Sequence, residues 1–254
     1  MFNAYTYKLL RSPMLYVGIL GVFALCCTNF IRDDFNYRTV LYHMQNFLDI
    51  GMYRKVLAVF GALPFTANFA EEWITGITKQ CIVRSGVKKY AAANLLLCWF
   101  SSMLTVFLGM TFFMGFYSLF VPISEPYVNP YNFLFGQFLH NGHGEIFLLL
   151  RTLVFSASCA MWAVMGMLLS VFMPNKFVAI CTPLVASYVI ERITMQLPGD
   201  LNFWYISLSF VYHDTFGSDL LGFLYCVGFF AVIAAVCGMI FYVFLKRKVQ
   251  NEIA

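Results

Sequence analysis

The sequence predicts an all-α membrane protein of six transmembrane helices, and three observations carry that prediction. Six long apolar stretches recur from end to end, at about 13–31, 55–70, 91–121, 146–173, 176–197 and 220–245. The composition is 61% hydrophobic and only 11% charged, whereas soluble domains carry about 25% charged residues. Mean hydropathy is +0.76. A helix needs roughly 20 apolar residues to cross a ~30 Å hydrocarbon core, and backbone polar groups in lipid must be satisfied within the segment. The 254 residues make one domain, 1–254, with no room for a separate soluble domain of ~100 residues. A net charge of +4, spread along the chain, argues against a nucleic-acid partner and leaves the lipid bilayer as the surrounding medium.

Residues 2–11 read as an N-terminal interfacial helix. Phe2, Tyr5 and Leu9 fall at i, i+3 and i+7, with Asn3, Thr6 and Lys8 elsewhere, and Ser12-Pro13 breaks the pattern. The first span is expected to stay. Its apolar run exceeds the 7–15 residues of a signal-peptide core, and Cys26-Cys27-Thr28-Asn29 is no cleavage site.

Charge sets the expected orientation. With both termini in the cytoplasm, that side carries Lys8, Arg11, Lys79, Arg84, Lys88, Lys89, Lys176, Lys246, Arg247 and Lys248. The outside carries Arg32, Arg38, Arg54 and Lys55, in keeping with the positive-inside rule. Seven of the eight cysteines lie in spans and Cys81 in a cytoplasmic loop, which favours free thiols packing at helix contacts over disulfides.

The loop between spans two and three is predicted to hold an amphipathic helix over 71–84. Trp73, Ile77 and Cys81 fall at i, i+4 and i+8, with Ile74 beside them. Glu71 and Glu72 stand at the N-terminal end and Arg84 near the C-terminal end, matching the helix dipole. Ser85-Gly86 is a stop, and Lys88-Lys89-Tyr90 anchors the next span. On these residues alone, a helix lying on the membrane is an equal reading. An acidic pair closing span two, a glycine shortly after, an Arg-Ser-Gly turn and a basic-Tyr entry to a long third span resemble the permease subunits of the ABC transporter type-2 family. The six-span layout is similar too. The resemblance implies that this segment is a coupling helix docking on a separate ATP-binding subunit, with Glu71, Glu72, Trp73, Gly76, Ile77, Lys79, Arg84 and Gly86 at the contact. It also implies a second permease copy or paralogue, a bacterial plasma membrane, and a re-entrant segment over 198–219.

The chain contains no G-x-x-x-x-G-K-[ST] loop. It is therefore expected to be no enzyme by itself and to carry no cofactor, with ATP and Mg held by the partner ATPase. Two alternatives come from other classes. One is a non-transporting membrane assembly or sensor protein. The other is an intramembrane protease, to which Glu71-Glu72 invites comparison, although Gly76 stands where that signature has Arg and His43, His140, His143 and His213 complete neither of its histidine patterns. His140-Asn141-Gly142-His143-Gly144-Glu145 reads as a polar turn, not a metal site, for want of helical ligand spacing.

Inside the spans, Arg151 and Glu191 lie at matched depth, roughly 8–9 Å from the outer end. They are expected to form an ion pair bracing spans four and five. Pro64 and Pro183 mark kinks in spans two and five. Phe107, Phe112, Phe113, Phe116 and Tyr117 line span three, which inclines the cargo toward hydrophobic or amphipathic molecules, peptides first.

Overall fold

The computed structural model describes residues 2–32, 39–49, 51–124, 134–197 and 218–253. These are 86% helical and contain no strand. The elements are α1 Phe2–Arg11, α2 Pro13–Arg32, α3 Val40–Asp49, α4 Gly51–Ala62, α5 Asn68–Ile74, α6 Ile77–Ser85, α7 Val87–Tyr117, α8 Gly136–His140, α9 Gly144–Phe172, α10 Lys176–Thr194 and α11 Asp219–Ile253. Four of them, α7, α9, α10 and α11, are long and apolar enough to cross a membrane. A fifth crossing is counted if α1 and α2, bent by 52° at Ser12, are taken as one broken span. The expected re-entrant segment 198–219 lies outside the described residues, apart from Ser218 and Asp219.

The second expected span is corrected. Residues 55–70 do not form one helix: α4 ends at Ala62, and a turn over 63–67 separates it from α5. Pro64 is the physical reason, because it has no N–H to give and its ring blocks the preceding turn. The turn stays hydrogen-bonded, with Thr66 N–H donating to Ala62 O (3.2 Å) and Asn68 N–H to Phe65 O (2.9 Å). Pro64, Phe65, Thr66 and Ala67 are buried, the condition under which non-helical backbone is tolerated at membrane depth. Pro183, by contrast, sits inside a helix that continues through it.

The long central helix is α9. Of its most apolar window 78% is buried, against 28% for α10 and for α11. It packs against α4, α7, α10 and α11. Small residues set the spacing, as expected where lipid supplies no hydrophobic drive between helices. A Cβ added at Gly166 would run into the Ala179 carbonyl of α10, and one at Gly109 would lie 2.5 Å from Val22 of α2. The aromatics of span three do not share a face. Phe113 and Tyr117 stack in the core, with ring centroids 5.5 Å apart, while Phe112 and Phe116 face outward. All eight cysteines are free.

This packing predicts opposite responses from two glycines. Gly166→Ala should cost about 1–3 kcal/mol through overpacking. Gly115→Ala, where an added Cβ meets nothing within 4 Å, should gain up to ~1 kcal/mol of helix propensity. Thermal unfolding of the detergent-solubilised variants measures both, and a Gly166→Ala protein as stable as the parent would refute the close α9–α10 approach.

Candidate functional site

The basal end of the bundle carries α1, α5, α6 and the C-terminal turns of α9 and α11. At its centre is Glu72, 3% exposed. Its carboxylate accepts four hydrogen bonds: from Tyr5 Oη at 2.7 Å, Tyr90 Oη at 2.8 Å, Asn68 Nδ2 at 3.0 Å and Lys8 Nζ at 3.2 Å. Asn68 extends the network to Asn94 Oδ1 (3.3 Å), and Asn94 donates to Tyr90 O (3.1 Å). Thr78 of α6 lies 3.4 Å from the Tyr90 hydroxyl. Burial first, then the bond to Glu72, push the Tyr5 hydroxyl above its ordinary value, so it remains a donor. A buried carboxylate is tolerated only with such full satisfaction.

The neighbours of Glu72 are tied as well. Glu71 Oε1 meets Lys176 Nζ of α10 at 3.1 Å, an exposed pair. Lys248 of α11 sits 4.4 Å over the Trp73 ring and donates to Val171 O at the end of α9 (2.8 Å). Three consecutive residues of α5 thus each meet a lysine from a different element: α1, α10 and α11.

The expected continuous helix over 71–84 is corrected on this evidence. α5 ends at Ile74, and Gly76 adopts a left-handed conformation (φ 75°) before α6 begins. Only glycine takes that conformation freely, and no neighbouring atom crowds it. The glycine is there for the turn, not for close backbone approach. The break rotates α6, so that Thr78, Cys81 and Ile82 face inward, not Ile77 with Cys81. The predicted contact residues therefore divide. Glu72 is buried and Trp73 packs on Phe69 and under Lys248. Ile77, Lys79, Arg84 and Gly86 are exposed and Glu71 partly so, joined by Ile74 (63% exposed) and Val83 (84%).

The Arg151–Glu191 pair is also corrected. Glu191, 4% exposed, pairs with Lys55 Nζ at 2.8 Å and Arg54 Nη2 at 3.4 Å, both from α4. Lys55 also lies 4.7 Å over the Tyr188 ring, one turn before Glu191. Arg151 is buried and stacks over Phe147 on its own helix at 5.3 Å. Depth along a helix was legible, but rotation about its axis was not, and α10 turns Glu191 toward α4.

Glu72 is far from His43. His43 packs on Tyr117 and Glu72 on Tyr90, positions about 40 Å apart along α7. Glu72 and His43 cannot share a water. Among the described residues no three His, Cys, Asp or Glu side chains cluster to hold a metal. The partners Tyr5, Lys8, Asn68, Asn94, Lys176 and Lys248 were not foreseen. The available signal was polar Asn94 inside an apolar span. Comparison with known proteins finds no match to a family model, a curated protein or a solved structure.

Two expectations follow. Glu72→Ala strands four buried or half-buried donors and should cost about 3–5 kcal/mol, with α1 becoming sensitive to limited proteolysis. Lys176→Ala, at an exposed pair, should cost under ~1 kcal/mol. At the other end, a thermal-stability double-mutant cycle should couple Lys55 with Glu191 by ~0.6 and at most ~1.7 kcal/mol, while Arg151 and Glu191 should be additive. Equal stability of Glu72→Ala and the parent, or strong Arg151–Glu191 coupling, would contradict the two networks.

Proposed function

We propose that this chain is the membrane subunit of an ATP-driven exporter, built like the ABC type-2 permeases and working with a separate ATP-binding subunit. The observation that supports it most is the basal surface of α5 and α6. Ile74, Ile77 and Val83 are exposed there, rimmed by Lys79, Arg84, Lys88 and Lys89. An apolar patch with a charged rim on a polar end of the protein suits docking of a soluble partner. Behind that patch, α5 is tethered to α1, α10 and α11 through Glu72, Glu71 and Trp73. Displacement of α5 by a partner would reach three helices at once.

In this reading six crossings are kept, the second as a broken helix made by α4, the 63–67 turn and α5. A second permease, identical or related, completes the pathway. ATP and Mg belong to the partner, both termini face the cytoplasm of a bacterial cell, and the cargo is hydrophobic or amphipathic, with peptides favoured. Of the expected contact residues, Ile77, Lys79 and Arg84 are kept, the inward-held Glu72 and Trp73 are given up, and exposed Ile74 and Val83 are added.

The test is co-purification followed by reconstitution. The chain alone should hydrolyse no ATP and should co-purify with a soluble ATPase. Ile77→Asp with Val83→Asp should abolish that association while leaving thermal unfolding unchanged, because both side chains are exposed. ATPase activity in the isolated chain, or full association of the double variant, would overturn the assignment. Association without cargo-stimulated hydrolysis would favour the non-transporting assembly or sensor protein instead.

A further inference from the structure

We propose that the elbow between α1 and α2 binds an anionic phospholipid, with the Arg11 guanidinium on its phosphodiester and the outward side of α2 against an acyl chain. α1 is pinned by its inner face: Tyr5 and Leu9 are buried, and Lys8 pairs with Glu72. Its outer face is nevertheless not polar. Tyr7 is 58% exposed and Leu10 57%, so the helix is apolar on both sides and the outer one needs cover from outside the chain. The chain then bends by 52°, and the apolar surface continues on α2. Met14, Val17, Leu20 and Ala24 are exposed there, at i, i+3, i+6 and i+10 on one side of the helix. Ten residues rise about 15 Å, the depth of one leaflet in a ~30 Å hydrocarbon core.

Arg11 stands at the head of this stripe. Its guanidinium lies 4.6 Å over the Tyr7 ring. The ring orients the plane and leaves the N–H donors of the fork without an acceptor among the described residues. Such a fork can meet two phosphodiester oxygens at once. The other polar groups of the elbow are engaged. Leu9 O accepts from Ser12 N–H (3.0 Å), and Leu10 O accepts from the Tyr16 hydroxyl (3.1 Å). Of the acids nearby, Glu72 is held by Lys8, and Glu71, which lines the crevice beside Ser12 and Met14, is held by Lys176. α2 starts at the same corner, and the positive end of its dipole adds to the attraction for an anion.

The surroundings favour an anionic lipid over a zwitterionic one. Lys88 and Lys89 of α7 and Lys246 and Arg247 of α11 are exposed and have no ion-pair partner among the described residues. They stand at the level of the elbow, because Tyr90 and Lys8 both bind Glu72 while Lys248 covers the adjacent Trp73. Cations at one level on separate helices, each next to lipid-facing apolar residues, suit a leaflet of anionic headgroups, where one Lys or Arg is worth about fivefold in binding.

The site stands apart from the ATP-driven reading, because lipid binding is measured on this chain without any ATPase. The delipidated full chain in dodecyl maltoside is titrated with phosphatidylglycerol or phosphatidylcholine, and native mass spectrometry counts the lipids bound. Phosphatidylglycerol should bind about tenfold more tightly or better. Arg11→Gln should lower its affinity about fivefold or more. Tyr7→Ala, which keeps the charge but removes the ring beneath it, should lower it about twofold. Both side chains are exposed, so thermal unfolding should stay at the parental value. Arg192→Gln removes the same charge from an exposed position on the distal part of α10 and should leave binding unchanged. Glycerophosphoglycerol, the headgroup without chains, should not displace the lipid at equal concentration. Equal affinity for the two lipids, parental affinity in Arg11→Gln, an equal loss in Arg192→Gln, or displacement by the bare headgroup overturns the proposal.

Discussion

The carboxylate of Glu72 is the interaction on which the basal half of this protein depends. Moving a carboxylate out of water costs several kcal/mol, recovered only when every lone pair meets a well-placed donor. Here the donors come from α1, α5 and α7. The amphipathic N-terminal helix is therefore held by a specific polar contact as well as by its apolar face. The short length of α5 follows from the same contact. The helix must present Glu72 inward and then stop, and Gly76 lets the chain turn so that Thr78 of α6 can reach Tyr90.

The rest of the bundle is organised around α9, with glycines bringing α2 and α10 close to their neighbours. Charge appears again at the distal end, where Lys55 and Arg54 of α4 meet Glu191 of α10. α4 thus carries a charged brace near its start and a buried proline turn just past its end. The turn can stay irregular because it is enclosed by protein and its freed backbone groups find local partners. A helix of 12 residues is short for a crossing, and its integration rests on these two attachments instead of on length.

The two ends of the molecule differ in what they offer. The basal surface is apolar with a basic rim and suits a protein partner. The distal crevice is small and lies between α7 and α9. Between them, outward-facing Phe100, Phe112, Val185, Val232 and Met239 form the continuous apolar coat that lipid requires. The α5 tethers reach α10 and α11, which carry much of that coat.

The sequence by itself determined the membrane class, the all-helical composition, the break at Ser12-Pro13 and the approximate extents of α7, α9, α10 and α11. These follow from local quantities: apolar run length, proline chemistry and the 1.5 Å rise of a helix. It also placed Glu71, Glu72 and Glu191 as residues of consequence, because charge beside apolar runs is costly wherever it falls. Their partners were decided only by tertiary structure. Whether Glu191 meets Arg151 or Lys55 depends on how α10 is rotated about its axis, and two cations at similar depth leave that choice open. Whether Trp73 faces a partner protein or Lys248 depends on where the end of α11 lies, more than 170 residues away in the chain. Periodicity read across residues 71–84 assumed one helix, and a single left-handed glycine changed which side chains share a face. Rotation and long-range return of the chain are set by the packing of whole helices, and no local pattern encodes them.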